Sequence, residues 1–348
     1  MVFRIDHYGG FKVRCSENPF TYRQEVTKLV KNADELALTV KKQQSLKRSH
    51  GFSKSRDIPL YLLLLPGVLL LFVFNYIPLF GVVIAFENYV PFKGIMGSDW
   101  VGFKNFEYFL LDRKFWSVLQ NTVEINLLHL IFGFPIPIMF ALLLNEIWST
   151  KFKKIVQTVS YLPHFISWVV AAGIFLSVLS PSTGLVNVFL QNVLGIEPIH
   201  FLTIEKLFRP ILVVTGVWKG FGMSAVYYLA ALSSIDVQLY EAAKIDGAGK
   251  IRQTWHITLP GIKNITIVLL VLQVGSMVSI GFEQIFLMYN PLLYEIGDVI
   301  STYTYRLGIE QARFSLTSAI GLTQSIVNFI LVYSTNRLSK AVAGWSLW

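Results

Sequence analysis

Residues 240–260 read YEAAKIDGAGKIRQTWHITLP, and this polar stretch lies between two long apolar runs. Its first part, Tyr240–Ala248, contains helix-forming residues and ends in the small residues Gly247-Ala248-Gly249. A second stretch with helical character, Arg252–Thr258, leads to Leu259-Pro260. Gly247 permits the left-handed conformation that such a turn often needs, and Asp246 can accept hydrogen bonds from free backbone N–H groups there. The stretch therefore predicts a short hairpin of two helices that stands off a membrane.

The rest of the chain is unusually apolar. Hydrophobic residues make up 53% of the 348 residues and charged residues 15%, whereas soluble proteins carry about 25% charged residues. Crossing the roughly 30 Å hydrocarbon layer takes about 20 helical residues, and six runs are long enough. The runs are 59–86, 121–145, 155–179, 210–233, 262–283 and 315–336. Lipid offers no partners for backbone N–H and C=O groups, so we predict an all-α membrane protein with six transmembrane helices.

The positions of the basic residues predict which side each loop faces. The chain has 30 Lys and Arg against 21 Asp and Glu, and residues 1–57 hold twelve of the basic ones. The loops at 146–154 and 234–261 are also basic, whereas the loops that alternate with them carry few Lys and Arg for their length. This positive-inside pattern places both termini and the 234–261 loop in the cytoplasm. The excess charge is explained by topology, so nucleic-acid binding is not expected.

The amino-terminal part predicts a cytoplasmic extension, residues 1–57, ahead of a transmembrane domain, residues 58–348. The extension is polar, whereas a signal peptide presents an apolar core almost at once. Its stretch 22–46 is charged and helical in part, which favours a solvated or membrane-surface helix, with a regulatory element as the alternative. Cys15 is the only cysteine, so an internal disulfide and a multi-cysteine metal site are excluded.

Polar residues inside the apolar runs are candidates for a substrate pathway, because a charge within a membrane is costly and usually faces a cavity or a partner. Lys219 is the one basic residue well inside a run, between Trp218 and Gly220. A lysine there can meet a sugar carboxylate while the indole of Trp218 stacks on the sugar ring. The alternative is that Lys219 reaches the membrane surface or pairs with a carboxylate such as Glu283.

Three further polar residues lie in the apolar runs. Gln273 and Ser276 can offer hydrogen bonds to sugar hydroxyls, although polar side chains also hold membrane helices together. His129 has no second ligand at metal spacing, so we expect it to make a hydrogen bond between helices and we expect no metal site.

Several motifs together resemble the membrane subunits of type I ATP-binding-cassette importers, in particular the carbohydrate branch that includes the maltose and alginate importers. The first is Glu-Ala-Ala, Asp-Gly-Ala and Ile-x-Leu-Pro within residues 241–260, between the fourth and fifth runs. The others are Asn145-Glu146, residues 161–168 (YLPHFISW), Trp218-Lys219, residues 228–232 (YLAAL) and Ser346-Leu347-Trp348. The resemblance covers about residues 58–348. One departure is Gly261-Ile262-Lys263-Asn264, where family members often have a second proline.

The resemblance implies the type I importer permease fold and a role for residues 235–261, which we call the coupling loop, in docking to an ATPase. The residues that inherit this role are Tyr240, Glu241, Ala242, Ala243, Asp246, Gly247, Ala248, Leu259 and Pro260. It also implies the partners: a second homologous permease, two ATP-binding-cassette ATPases and an extracytoplasmic solute-binding protein. The chain lacks the Gly-x-x-x-x-Gly-Lys-Ser/Thr stretch, so ATP and Mg²⁺ are expected on the ATPases and no cofactor on this chain.

The sequence thus predicts a permease subunit in the bacterial inner membrane that is not itself an enzyme. Its substrate would be an oligosaccharide or a polysaccharide fragment, acidic ones such as alginate included. One alternative is a secondary transporter driven by an ion gradient, which needs no ATPase. Another is an intramembrane enzyme, but a paired carboxylate, a Ser-His pair or a metal cluster on facing helices is not found.

Overall fold

The computed structural model of this protein describes residues 2–5, 11–14, 54–279 and 281–347. The helix expected in 22–46, most of the expected N-terminal extension and Trp348 lie outside these residues. The chain divides into two units, Met1–Pro78 and Leu79–Trp348.

The helices account for most of the described residues. The α-helices are, in chain order, α1 Lys54–Leu71, α2 Gly94–Gly97, α3 Lys104–Leu111, α4 Arg113–Leu128, α5 Pro135–Asn145, α6 Thr150–Phe165, α7 Trp168–Val178, α8 Leu185–Leu194, α9 Glu205–Ser233, α10 Val237–Ile245, α11 Lys250–Gln253, α12 Leu259–Gly261, α13 Lys263–Gly275, α14 Phe282–Met288, α15 Tyr294–Gly297, α16 Ile300–Tyr305 and α17 Phe314–Ala343. Wider π-helical turns lie at Phe72–Tyr76, His129–Gly133, Thr254–Thr258 and Arg306–Glu310, and tighter 3₁₀ turns at Ile77–Phe86 and Pro291–Leu293.

The strands are short and form two antiparallel hairpins. β1 Val2–Ile5 pairs with β2 Phe11–Arg14, with Val2 opposite Arg14. β3 Glu87–Asn88 pairs with β4 Asp99–Trp100, with Glu87 opposite Trp100. Such short strands add no sheet layer to the helical domain.

The six predicted runs lie mostly on helices. By length and composition, three continuous helical stretches can cross a membrane, Tyr61–Phe86, Arg113–Asn145 and Phe314–Ala343, and two bent helix pairs raise the number to five. The remaining run lies on α9, which has 29 residues and at about 1.5 Å per residue exceeds the thickness of the hydrocarbon layer.

Two of the predicted runs are broken rather than straight. The run 155–179 divides into α6 and α7, whose axes are bent by 102° at Ile166-Ser167. The run 262–283 also divides, because α13 ends at Gly275 and the next helix begins at Phe282. The sequence predicts that both runs are helical but does not place these breaks. Ser167 stabilises the new start, since its side chain accepts a hydrogen bond from the Val170 amide at 3.3 Å.

The fourth run forms the centre of the packing, where α9 lies along α5 and α6. Gly222 of α9 is buried, and a Cβ placed on it would lie 2.0 Å from the carbonyl oxygen of Ser160 in α6. Small residues allow membrane helices to approach this closely. The core beside this crossing consists of Ala141, Leu144, Ala225, Tyr228, Leu229, Leu232 and Ile262.

A polar network fastens the segment 284–314 to the rest of its unit. The Asp298 carboxylate is fully buried and forms an ion pair with Arg306. The side chain of Asn121 in α4 donates to the carbonyl oxygens of Glu295 at 2.8 Å and Asp298 at 3.1 Å. Burial acts to lower the pKa of Arg306, but the charge and hydrogen bond of Asp298 oppose this, and the pKa lies above its ordinary value. The guanidinium therefore stays charged.

Candidate functional site

The first limb of the coupling loop is α10. Asp236 begins this helix, because its side chain accepts a hydrogen bond from the Gln238 amide at 2.9 Å. The helix ends in a turn at Gly247, whose φ is +74°, the conformation that the sequence predicts there. The Ala248 amide then donates to the Ala243 carbonyl oxygen at 2.8 Å. This closure satisfies the last carbonyls of the helix.

The second limb begins at Lys250, two residues earlier than the sequence predicts, and continues through the π-helical turn to Thr258. Two side-chain contacts join the limbs: Tyr240 Oη lies 3.0 Å from Thr258 Oγ1, and Gln253 donates to the Ala248 carbonyl oxygen at 2.7 Å. Lys250 also forms an ion pair with Glu146, which follows the last residue of α5. The coupling loop is thus held as one body and is attached to the end of the second span.

The outer surface of the coupling loop is apolar and uncovered. Leu239, Ile245 and Trp255 are exposed, with Ile245 at 86%, as is Ile251 at 78%. These four residues form what we call the uncovered patch. Tyr240, the first residue of the quoted stretch, is half-buried.

The remaining motif residues of the loop divide by exposure. Glu241, Ala242 and Asp246 are exposed, whereas Ala243 is half-buried. The turn closes through backbone amides, and within the part of the chain that the structure describes the Asp246 carboxylate makes no hydrogen bond. The role expected of this carboxylate at the turn is therefore not seen.

Leu259 and Pro260 form the short helix α12, after which the chain bends by 59° into α13. A Cβ on Gly261 would lie 2.6 Å from Cδ1 of Ile235, at the start of the loop. The glycine that stands in this chain after Leu-Pro therefore lets the two ends of the coupling loop meet.

Lys219 fastens the bend between α6 and α7. Its Nζ donates to the carbonyl oxygen of His164 at 2.9 Å, near the end of α6, and lies 5.5 Å from the ring centre of Trp168, the first residue of α7. The last carbonyls of a helix have no partner within it, and a lysine is well suited to bind them. Among the described residues, Lys219 thus binds backbone carbonyls and not the carboxylate of Glu283, the partner that the sequence offers. Its neighbour Trp218 packs edge-on against Phe175 of α7 at 5.1 Å.

The structure brings two of the five predicted pathway residues to one cavity. Gly220 and Gln273 line a cavity of about 260 Å³ together with His129. Ser276 instead donates to the Gln273 carbonyl oxygen at 3.0 Å, within its own turn. The hydrogen bond between helices that the sequence predicts for His129 is not made by its Nδ1, which is buried without a partner among the described residues. Within 54–279 and 281–347, no three His, Cys, Asp or Glu side chains come together as a metal site requires.

The chain is similar to known proteins over most of its length. Residues 133–344 match the family described as binding-protein-dependent transport system inner membrane component. Two relatives come from Bacillus subtilis (strain 168). The polygalacturonan/rhamnogalacturonan transport system permease protein YteP is 44% identical over 81% of this chain and 87% of its own. Protein LplB is 43% identical over 82% and 89%.

A solved structure also matches. It is a chain of a bacterial alginate ABC transporter in complex with an alginate pentasaccharide-bound periplasmic protein. The identity is 40% and the TM-score 0.77, and the match covers 84% of this chain and 98% of that chain. The match covers most of this chain, so the helical arrangement is that of a type I importer permease.

Proposed function

Because this chain belongs to the family of binding-protein-dependent transport system inner membrane components, we propose that it is one of two permeases of an ATP-driven oligosaccharide importer. A homologous permease completes the pathway, two ATPases carry ATP and Mg²⁺, and an extracytoplasmic binding protein delivers the sugar. This chain performs no covalent chemistry.

The coupling loop supports this proposal more than any other feature. The uncovered patch is the kind of apolar surface that marks a protein interface. Glu241 lies exposed on α10, in the same limb as Leu239 and Ile245, where it can pair with a basic residue of an ATPase. An apolar centre with a charge at its edge is the usual composition of an interface.

The contacts of the coupling loop with α5 suggest how a movement of the ATPases reaches the transmembrane helices. ATP binding closes the ATPase dimer, and the two docked coupling loops move together. In this chain the hydrogen bonds between the limbs make the loop move as a body, and the Lys250–Glu146 pair passes the displacement to the end of α5. Rigid-body motion about a docked interface is an established way to switch between two states, here the inward-open and outward-open ones.

The proposed topology places the coupling loop and both termini in the cytoplasm. The basic loops 146–154 and 234–261 then lie on the side of the ATPases, as the positive-inside pattern requires. The segment 284–314 lies on the opposite side, where the binding protein docks.

The proposed substrate is a polysaccharide fragment, acidic ones included. The name of one relative, YteP, refers to polygalacturonan and rhamnogalacturonan, and a further matching structure belongs to an importer of the acidic polysaccharide alginate. On the side of the binding protein, Lys104 and Arg313 line one cavity of about 510 Å³, where a carboxylate would find two cations.

The test is the ATPase activity of the complete complex in lipid, with the binding protein and a panel of neutral and uronic-acid oligosaccharides. We expect one class of sugar to stimulate the wild type and Glu241→Ala to remove the stimulation while the membrane subunits stay assembled. The matched control is Glu197→Ala, which changes an exposed glutamate after α8. This variant should retain the stimulation by sugar. If no ATPase co-purifies with the complex, an ion-gradient transporter is favoured instead. If Glu241→Ala keeps the stimulation by sugar, the coupling loop does not have the proposed role.

A further inference from the structure

The short loop between α5 and α6 presents an exposed tryptophan beside a group of lysines. Trp148 exposes 93% of its surface, and Lys151, Phe152 and Lys154 in the first turns of α6 are exposed as well. At about 3.6 residues per turn, these three residues share one side of α6. We call Trp148, Lys151, Phe152 and Lys154 the basic face.

The lysines of the basic face have no ionic partner within the fold. Lys153, on the other side of α6, is half-buried and donates to Oδ1 of Asn145 at 3.3 Å. Lys151 and Lys154, by contrast, form no ion pair with any residue that the structure describes. Cations in the first turn of a helix oppose its dipole, so these two lysines do not stabilise α6. Their charges remain available to an anion outside this chain.

The sequence around the basic face offers no carboxylate to neutralise it. The chain contains no Asp or Glu between Glu146 and Glu197. Glu146 itself already pairs with Lys250 of the coupling loop. The basic face therefore carries net positive charge and is complementary to an anionic surface.

The length of the loop keeps the basic face close to the membrane. Only residues 146–154 separate the second apolar run from the third, and Ile147 packs against the core beside Leu144. The longer coupling loop, residues 235–261, can stand away from the membrane surface, whereas this loop cannot. In the proposed topology the basic face thus lies at the headgroups of the cytoplasmic leaflet, which carries anionic lipids.

The apolar side chains of the loop suit the same depth. Tryptophan is enriched at the membrane–water interface because its amphipathic ring fits the headgroup layer. Phe152 and Ile155 continue the exposed apolar surface from Trp148 along α6. Lysines beside exposed aromatic and aliphatic side chains are the composition of a helix that contacts anionic lipid.

We propose that the basic face binds the phosphate groups of anionic lipids in the cytoplasmic leaflet and that this contact regulates coupling to the ATPase. The regulation acts through Glu146, two residues before Trp148, because its ion pair with Lys250 joins this loop to the coupling loop. A loop that is held on the headgroups fixes Glu146 and, through it, the position of the coupling loop. The inference rests on the proposed function, which places both loops in the cytoplasm and supplies the ATPase.

The experiment uses the complete complex in nanodiscs of phosphatidylcholine with increasing fractions of phosphatidylglycerol. Native mass spectrometry measures the lipid that the complex retains, and an ATPase assay with the binding protein measures stimulation by saccharide. We expect the wild type to retain phosphatidylglycerol preferentially and to reach its full stimulation only when that lipid is present. Inorganic phosphate added to pure phosphatidylcholine nanodiscs should not replace it; if it does, the site takes free phosphate and the lipid contact is refuted.

The variant that tests the lysines combines Lys151→Gln with Lys154→Gln. Each lysine near an anionic surface raises the affinity about fivefold, so the double variant should show no response at the phosphatidylglycerol fraction that saturates the wild type. Trp148→Ala should weaken retention of the lipid as well. The matched control is Lys206→Gln, which changes an exposed lysine at the start of α9, on the opposite side of the membrane in the proposed topology. It should respond as the wild type does.

The outcomes separate this inference from the proposed function. A double variant that loses the lipid response, keeps its ATPase and second permease, and contrasts with a normal Lys206→Gln supports the lipid contact. An unchanged lipid response overturns it. Loss of the ATPase or of the second permease from the double variant identifies the basic face as a protein contact and also overturns it. A wild-type ATPase that no saccharide stimulates overturns the proposed function, while the retained lipid still tests the contact by itself.

Discussion

Replacing Gly222 by alanine should force α6 and α9 apart. The new Cβ would lie 2.0 Å from the Ser160 carbonyl oxygen and 2.7 Å from the Tyr161 nitrogen. Ordinary van der Waals contact begins at 3.4 Å, so the approach to the oxygen is about 1.4 Å too short. The atoms it meets belong to the backbone of α6 and cannot rotate away, so the helix itself has to move.

The cost follows from what such a movement disturbs. Inserting a methylene group into a packed core costs about 1–3 kcal/mol when side chains can adjust. Here a backbone has to move instead, so we take the upper end of this range, about 3 kcal/mol, as the cost. Alanine favours a helix over glycine by about 1 kcal/mol, which offsets part of this. We therefore expect a net loss of at least about 2 kcal/mol.

Thermal stability of the purified complex in detergent checks this expectation. Size-exclusion chromatography after heating measures how much assembled complex remains at each temperature, and Gly222→Ala should lower the midpoint. Gly220→Ala is the matched control, because nothing lies within 4 Å of a Cβ there; its midpoint should equal or exceed that of the wild type. A midpoint of Gly222→Ala no lower than that of Gly220→Ala would refute the close crossing of α6 and α9.

Three further substitutions have definite expected outcomes. Lys219→Met should destabilise the complex by about 1.5–3 kcal/mol, the value of a hydrogen bond from a charged group, as measured by the same melting midpoint. Gly247→Ala places a side chain at φ +74° at a cost of about 1–2 kcal/mol, which should reduce the amount of ATPase that co-purifies. Tyr303→Phe removes the 3.1 Å bond to Asp112 and should cost about 1 kcal/mol, equally at every pH from about 6 to 9.

The flat pH dependence follows from the direction of the pKa shift. Burial, reinforced by Asp112, raises the pKa of Tyr303 above its ordinary value. A group with a raised pKa stabilises the fold below its unfolded pKa, about 10 for tyrosine, and loses that contribution as pH rises through the folded value. Tyr303 itself keeps its proton between pH 6 and 9, so an effect of Tyr303→Phe that varied there would contradict this assignment.

The other two predictions have their own controls. Lys219→Arg keeps a cation at the His164 carbonyl and should recover part of the stability that Lys219→Met loses; equal losses in both would show that the charge is not what matters. Gly249→Ala adds the same methyl group two residues beyond Gly247, at φ −68° and with nothing within 4 Å. If Gly249→Ala reduced the amount of co-purifying ATPase as much as Gly247→Ala does, the left-handed conformation of Gly247 would not be the cause of that loss.

The coupling loop could be read from the sequence because its signals are local. A cluster of small residues such as Gly247-Ala248-Gly249 between two helical stretches marks a turn. The hairpin, its left-handed Gly247 and its second limb followed from residues within 21 positions of one another. The six runs could be placed for a similar reason, since hydropathy averages over neighbours.

The two breaks and the partners of Lys219 could not be predicted. An apolar run has the same hydropathy whether its helix is straight or bent. A serine such as Ser167 is found inside membrane helices as well as at their starts, so it does not mark the bend. The sequence offers Lys219 a carboxylate or the membrane surface, yet its partner is a carbonyl oxygen 55 positions away, set free by the break itself.

The uncovered patch has a consequence for the cell that makes this chain. Ile245, Ile251 and Trp255 expose more than 60% of their surface, and in the proposed topology they face the cytosol. Quality-control proteases and chaperones recognise exposed apolar side chains of this kind. If the proposed ATPase covers this patch, a copy of the chain without that ATPase keeps the patch exposed, and we expect such a copy to be degraded faster than the assembled one.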